Sequence, residues 1–156
     1  METTTFNKVK EDDAEILSSW TYPPPYDFYN HAQTEDRKQE WLTGNYFCIY
    51  KQAEMIGFFC YGESARVPVN NCLLYIDEYI DIGLGMRPDL TGKGGGKSFL
   101  TSILMEIERL FPNTPIRLTV ASFNKRAIHL YEKLGFIIQH QFQRKSTTFY
   151  IMVRKK

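Results

Sequence analysis

Hydrophobic and polar positions along this chain follow two periods, and the change from one to the other marks its elements. Thr4 to Val9 reads as a short first strand. Glu11-Asp12-Asp13 supplies an acidic helix start ahead of Ala14, Ile16, Leu17 and Trp20. Pro23-Pro24-Pro25 stops that helix, because proline has no N–H to give and clashes with the preceding turn. Thr34 to Leu42 predicts a second helix, with Thr34 as its N-cap and Gly44-Asn45 at its end. Phe47 to Lys51 and Met55 to Tyr61 are apolar, β-rich runs around Gln52-Ala53-Glu54, which predicts a hairpin. Gly62 to Asn71, with Pro68 and Asn70-Asn71, is a longer connection.

Cys72 to Met86 predicts a long central strand. Alternation puts Ile76, Glu78, Ile80, Ile82, Leu84 and Met86 on one face and Tyr75, Asp77, Tyr79 and Asp81 on the other. A bulge would change that register part way. From Gly94 the period lengthens: Phe99, Leu100, Ile103, Leu104, Ile107, Leu110 and Phe111 recur at helical spacing, and Pro112 and Pro115 end the run. Ile116 to Val120 predicts a strand, and Asn124 to Leu134 a helix burying Ala127, Leu130, Tyr131 and Leu134, with Gly135 as its left-handed terminator. Ile137 to Phe142 and Thr147 to Val153 close the chain as two strands. The order is β-α-α-β-β-β-α-β-α-β-β, without repeat, linker or low-complexity tract. It predicts one domain over residues 1–156 with helices and a sheet mixed.

Charge and composition narrow the partners. Among 156 residues the formal net charge is +1, so no overall basic field recommends nucleic acid. No apolar run reaches the roughly 18 residues of a membrane span, and Met1-Glu2-Thr3-Thr4-Thr5 has neither the charged nor the apolar part of a secretory leader. The expectation is a cytoplasmic protein without a membrane partner. Cys48, Cys60 and Cys72 lie in apolar, strand-like runs, which predicts reduced, buried thiols. They have no ligand spacing with His31, His129 or His140, and no metal is expected.

The chemistry concentrates where the long strand turns into the third helix, at Thr91-Gly92-Lys93-Gly94-Gly95-Gly96-Lys97-Ser98. Glycine lets a backbone approach a bulky ligand, and unpaired N–H groups at a helix start attract an anion. A diphosphate is the natural ligand. A P-loop needs its first glycine at position 91, which is Thr91; a dinucleotide fingerprint from Gly92 needs glycine at position 97, which is Lys97. Both patterns fail. A glycine-rich surface turn without a ligand is the structural alternative.

The loop matches, at both of its glycine positions, the Arg/Gln-x-x-Gly-x-Gly/Ala pattern of the acetyl-coenzyme A loop in the GNAT family of N-acetyltransferases; Thr91 stands where that pattern has Arg or Gln. Further on, Asn124 opens a helix that runs to Leu130-Tyr131-Glu132-Lys133-Leu134-Gly135-Phe136, and this resembles the second half of the same family's site. The resemblance covers roughly residues 72 to 153. It implies the acyl-coenzyme A N-acyltransferase fold, an α/β (α+β) mixed sheet of six or seven strands with helices on both sides. It also implies acetyl-coenzyme A as co-substrate and a small-molecule or peptide amine as acceptor, with direct transfer in a ternary complex.

Residue by residue, the resemblance puts the diphosphate on Thr91, Gly92, Lys93, Gly94, Gly95, Gly96 and Lys97. Leu84 and Met86 offer backbone groups to the pantetheine arm, with the Met86 N–H as oxyanion donor. Asn124 bonds the same arm, or serves only as a helix cap; Tyr131 is the general acid for the departing thiolate, or packs against the sheet. At the position where some members carry a glutamate base, this chain has Thr119. Asp81, then Glu78, are therefore the candidate bases, with a salt bridge or a strand bend as the structural alternative. Trp20, Tyr22, Tyr26 and Tyr29, around the prolines, are expected to wall the acceptor site, and aromatic faces suit a cationic or apolar acceptor. A non-catalytic acyl-coenzyme A module of the same fold is the second hypothesis. The sequence leaves monomer and homodimer equally open.

Overall fold

The computed structural model describes residues 4–30, 34–68, 75 and 78–155. Among them lie seven strands and four α-helices: β1 (Thr4–Lys8), α1 (Glu11–Ser19), α2 (Glu35–Thr43), β2 (Tyr46–Lys51), β3 (Glu54–Tyr61), β4 (Ile80–Met86), α3 (Gly96–Leu110), β5 (Ile116–Ala121), α4 (Lys125–Lys133), β6 (Ile137–Arg144) and β7 (Thr147–Arg154). The strands hydrogen-bond in the order β1-β2-β3-β4-β5-β7-β6. Packing divides the chain into two compact units: residues 1–60 with 84–95, and residues 61–83 with 96–156. None of the described helices is long and apolar enough to cross a membrane.

In the first unit, β1 pairs antiparallel with β2, Phe6 opposite Ile49, and β2 pairs antiparallel with β3, Cys48 opposite Phe58. Gln52 and Ala53 turn that hairpin with φ of 53° and 68°. Local chemistry starts both helices. Lys10 N–H donates to Asp13 Oδ2 at 3.0 Å ahead of α1, and Arg37 N–H donates to Thr34 Oγ1 at 3.2 Å ahead of α2. Trp41 of α2 is fully buried and meets Tyr46 and Phe58 edge-on, with ring centroids 4.9 Å and 5.0 Å away. The Arg37 guanidinium covers its other side at 4.3 Å. Phe58 stands over Gly85: a Cβ built there would lie 2.3 Å from the ring.

In the second unit β4 pairs parallel with β5, Asp81 in register with Arg117. Strand β5 then pairs antiparallel with β7, and β7 with β6 through a turn at Lys145 with φ of 57°. Helix α3 buries Phe99, Leu100, Ile103, Leu104 and Ile107, one stripe at helical spacing. Helix α4 buries Ile128 and Tyr131, whereas Ala127, Leu130 and Leu134, expected in the core, are only half-buried. Gly135 ends it with φ of 96°, as the sequence predicts.

A second expectation changes. The central strand is shorter than the apolar run suggests: Tyr75 lies in a helical turn, Glu78 in a turn, and pairing begins at Ile80. Residues 72–74 and Asp77 lie outside the described residues, as does His31.

A side chain at position 85 would have to displace the Phe58 ring, which is packed edge-on with Trp41. Gly85→Ala is expected to lower unfolding stability by about 1–3 kcal/mol, the usual cost of overpacking. Urea titration checks this, and an unchanged midpoint would contradict the packing account.

Candidate active site

Strand β4 directs its backbone groups alternately to its two edges. Ile80 N–H donates to Pro115 O at 2.9 Å, towards β5, and Arg87 N–H donates to Ile56 O at 2.8 Å, towards β3. An odd step separates the two residues, as regular alternation along β4 requires. Leu84 and Met86 therefore present their N–H and C=O groups on the edge opposite β3. This is the pair of residues whose backbone the sequence singles out.

Beyond Met86 the chain turns through Pro88–Leu90. Thr91 closes that turn: its N–H and its hydroxyl both donate to Pro88 O, at 3.2 Å and 2.7 Å. Both groups are thus spent within the loop, which corrects the expectation that Thr91 offers them to a ligand. Gly92 and Gly94 follow with φ of 71° and 84°, conformations that side chains rarely adopt. A Cβ at Gly94 would meet nothing within 4 Å, so the loop is open there. Lys93 and Lys97 are exposed.

Gly96 begins α3, and the first turn of this 15-residue helix carries no acid. Its early N–H groups and its dipole suit an anion. Gly96 also lets α3 approach α4, since a Cβ there would lie 3.1 Å from Leu130 Cδ2. On α4, Asn124 caps the helix, its Oδ1 accepting from Ala127 N–H at 3.1 Å. Tyr131 is buried beside Phe136, with ring centroids 6.0 Å apart.

The loop after α1 is a compact turn, with Tyr26–Tyr29 forming a short 3-10 helix. Tyr22, Tyr26 and Tyr29 are half-buried, whereas Trp20 is only 9 % exposed and belongs to the core rather than to an accessible wall. Tyr22 reaches furthest: its hydroxyl donates to Met86 O at 2.7 Å.

The candidate base Asp81 has a different role from the one expected. It is 2 % exposed, and Arg117, at 1 %, donates to it through Nε at 2.6 Å and Nη2 at 2.8 Å. Arg66 Nε adds a third bond at 2.8 Å. The Arg117 guanidinium lies between the rings of Tyr75 and Tyr79, at 5.2 Å and 5.1 Å. Two guanidinium groups occupy both carboxylate oxygens, which suits a structural anion and speaks against a role as general base. Glu78, the other candidate, is exposed in the turn before β4. Thr119 shares a hydrogen bond of 2.8 Å with the Tyr75 hydroxyl, which burial raises above its ordinary pKa. Arg66, Arg117 and Tyr75 escape a motif search. The available signal was a single opposite charge in each of two apolar strands, at Asp81 and Arg117.

Among the described residues, no group of three or more His, Cys, Asp or Glu side chains gathers as a metal would require. Cys48 and Cys60 are buried and form no disulfide.

Removing the Asp81 charge strands the buried Arg117. Asp81→Asn is expected to cost about 3–5 kcal/mol of stability, as breaking one side of a buried ion pair does. Thermal or urea unfolding measures it. A variant of undiminished stability with an altered pH–rate profile would restore Asp81 as a base.

Comparison with known proteins bears on the same residues. The chain is 30 % identical over 133 residues to a mycothiol acetyltransferase of Streptomyces coelicolor, a match covering 81 % of this chain and 40 % of that protein. It thus spans under half the length of the curated relatives it matches. The fold is similar to that of aminoglycoside acetyltransferase AAC(6')-Ib in complex with coenzyme A, with a TM-score of 0.76 at 20 % identity over 99 % of this chain and 95 % of that one. It is also similar to a spermidine N-acetyltransferase chimera from Vibrio cholerae, with a TM-score of 0.67 at 20 % identity over 97 % and 95 % of the two chains. The Acetyltransferase (GNAT) family profile matches residues 14–136, taking in β4, the glycine loop and α4 through Phe136, and the chain belongs to that family.

Proposed function

We propose that this chain transfers an acetyl group from acetyl-coenzyme A to the primary amine of a small molecule or peptide, directly and within a ternary complex. The observation that carries the reading is the alternation of β4. It presents the N–H and C=O groups of Leu84 and the N–H of Met86 on the edge opposite β3, and the same strand leads into a glycine loop and a helix start. An extended pantetheine arm pairs with such an edge as an added strand does. The N–H groups from Gly92 to Lys97 take the diphosphate, with the Lys93 and Lys97 charges beside it. The relatives support the substrate class: aminoglycosides and spermidine, named for two of the similar structures, are amines.

The chemistry asks little more of the chain. The neutral amine nitrogen attacks the thioester carbonyl carbon, and the oxygen takes up negative charge that the Met86 N–H stabilises. As the intermediate collapses, the C–S bond breaks and Tyr131 gives a proton to the thiolate. The amine loses its proton to water or to Glu78, because Asp81 is held by its arginines. Asn124 steadies the pantetheine arm while capping α4. Half-buried Tyr22, Tyr26 and Tyr29 line the acceptor side.

A second reading, an acyl-coenzyme A binding module without turnover, is favoured by one observation, the commitment of Asp81 to ion pairs. A thiol-release screen over polyamines, amino sugars, amino acids and peptide N-termini separates the two. The enzyme reading expects turnover with one of these classes, and coenzyme A binding without any thiol release favours the module. With an active amine in hand, Tyr131→Phe is expected to lower kcat by about tenfold to a hundredfold while leaving acetyl-coenzyme A affinity nearly unchanged. Unchanged turnover would remove its acid role.

A further inference from the structure

The loop after α1 ends on the working edge of β4 through one side chain. Tyr22 N–H donates to Asn30 Oδ1 at 2.6 Å, and Tyr26 N–H donates to Pro23 O at 2.8 Å, so the loop is closed on itself. The Tyr22 hydroxyl then donates to Met86 O at 2.7 Å. That carbonyl lies on the edge opposite β3, because the next residue, Arg87, gives its N–H to Ile56 O. The N–H of Met86 faces the same edge. The partner of this carbonyl is thus a phenol from a loop and not a strand.

The pairing has an electrostatic consequence. A peptide carbonyl carries partial negative charge on its oxygen, and an oxyanion held at the neighbouring N–H would be repelled by it. Such repulsion is poorly screened away from bulk water. A hydroxyl donating to the carbonyl sets an opposing dipole against it. The Tyr22 phenol keeps the proton it donates at neutral pH, and burial pushes it up to about 12.

We propose that Tyr22 is a positioning residue for acetyl transfer: by donating to Met86 O it fixes the last peptide of β4 and offsets the carbonyl charge beside the Met86 N–H. The benefit falls on the transition state, where the oxyanion exists, and not on the bound thioester. The proposal rests on the reading of the Met86 N–H as oxyanion donor. Tyr22 exchanges no proton: the nucleophile forms the C–N bond and loses a proton to solvent, and the departing thiolate takes one up.

The test is Tyr22→Phe in the full chain, with hydroxylamine as nucleophile so that the acceptor need not be known. The ring is kept and only the hydroxyl removed. The expected result is a fall in kcat of about tenfold, below the loss on deleting a direct oxyanion donor, with coenzyme A Kd and acetyl-coenzyme A KM nearly unchanged. Undiminished kcat overturns the proposal. So does a loss of coenzyme A affinity in parallel with kcat, which marks a merely structural anchor. A wild-type chain that binds coenzyme A yet releases no thiol with hydroxylamine or with any amine class of the screen above brings down the enzyme reading and this proposal with it. An active wild type with an unaffected variant brings down the proposal alone.

Discussion

A β-strand must spend its backbone hydrogen bonds on two edges, and β4 spends them on different partners along its length. At Ile80 an N–H goes to Pro115 O; at Arg87 an N–H goes to Ile56 O. Between these points the alternation is fixed, so the identity of the side chains at Leu84 and Met86 matters little to what their backbone offers. Gly85, between them, exists to admit the Phe58 ring, and Trp41 holds that ring in turn. An aromatic cluster thereby sets the position of a backbone edge. The edge offered to the pantetheine arm in this reading is a property of the main chain, positioned by the packing of Phe58 and Trp41.

Within the second unit, the buried charges hold the first residues of β4. Asp81 enters β4 just after pairing begins and is bound by Arg117 in register on β5. A carboxylate with three guanidinium bonds holds the start of the strand in place and specifies its register, since slipping by one residue would leave both charges unpaired in the core. Tyr75 and Tyr79 enclose the Arg117 guanidinium, which accounts for aromatic residues in a segment that does not continue the strand.

Much of this was legible in the sequence because it is local. The stripe from Phe99 to Ile107, the cap at Thr34, the hairpin turn at Gln52-Ala53 and the left-handed Gly135 all depend on neighbours within a few residues. The ion pair of Asp81 is not legible in the sequence, because Arg117 stands 36 residues away on another strand and no local pattern encodes that register. The start of the central strand is hidden for a related reason: alternation alone does not mark Ile80 as the point where pairing begins. The Thr91 hydroxyl is taken by the Pro88 carbonyl within its own turn, a bond that the glycine motif does not encode. The bond from Tyr22 to Met86 spans 64 residues and had no signal beyond the clustering of aromatics near the prolines.

The central claim is that the edge of β4 and the glycine loop bind the pantetheine and diphosphate of acetyl-coenzyme A. Calorimetric titration of the chain with acetyl-coenzyme A, coenzyme A and ATP tests it most directly. The account predicts saturable binding of both coenzyme A forms at about micromolar affinity, with ATP far weaker because it lacks the pantetheine arm that β4 would pair. Binding of ATP as tight as that of coenzyme A, or no coenzyme A binding at all, would contradict it.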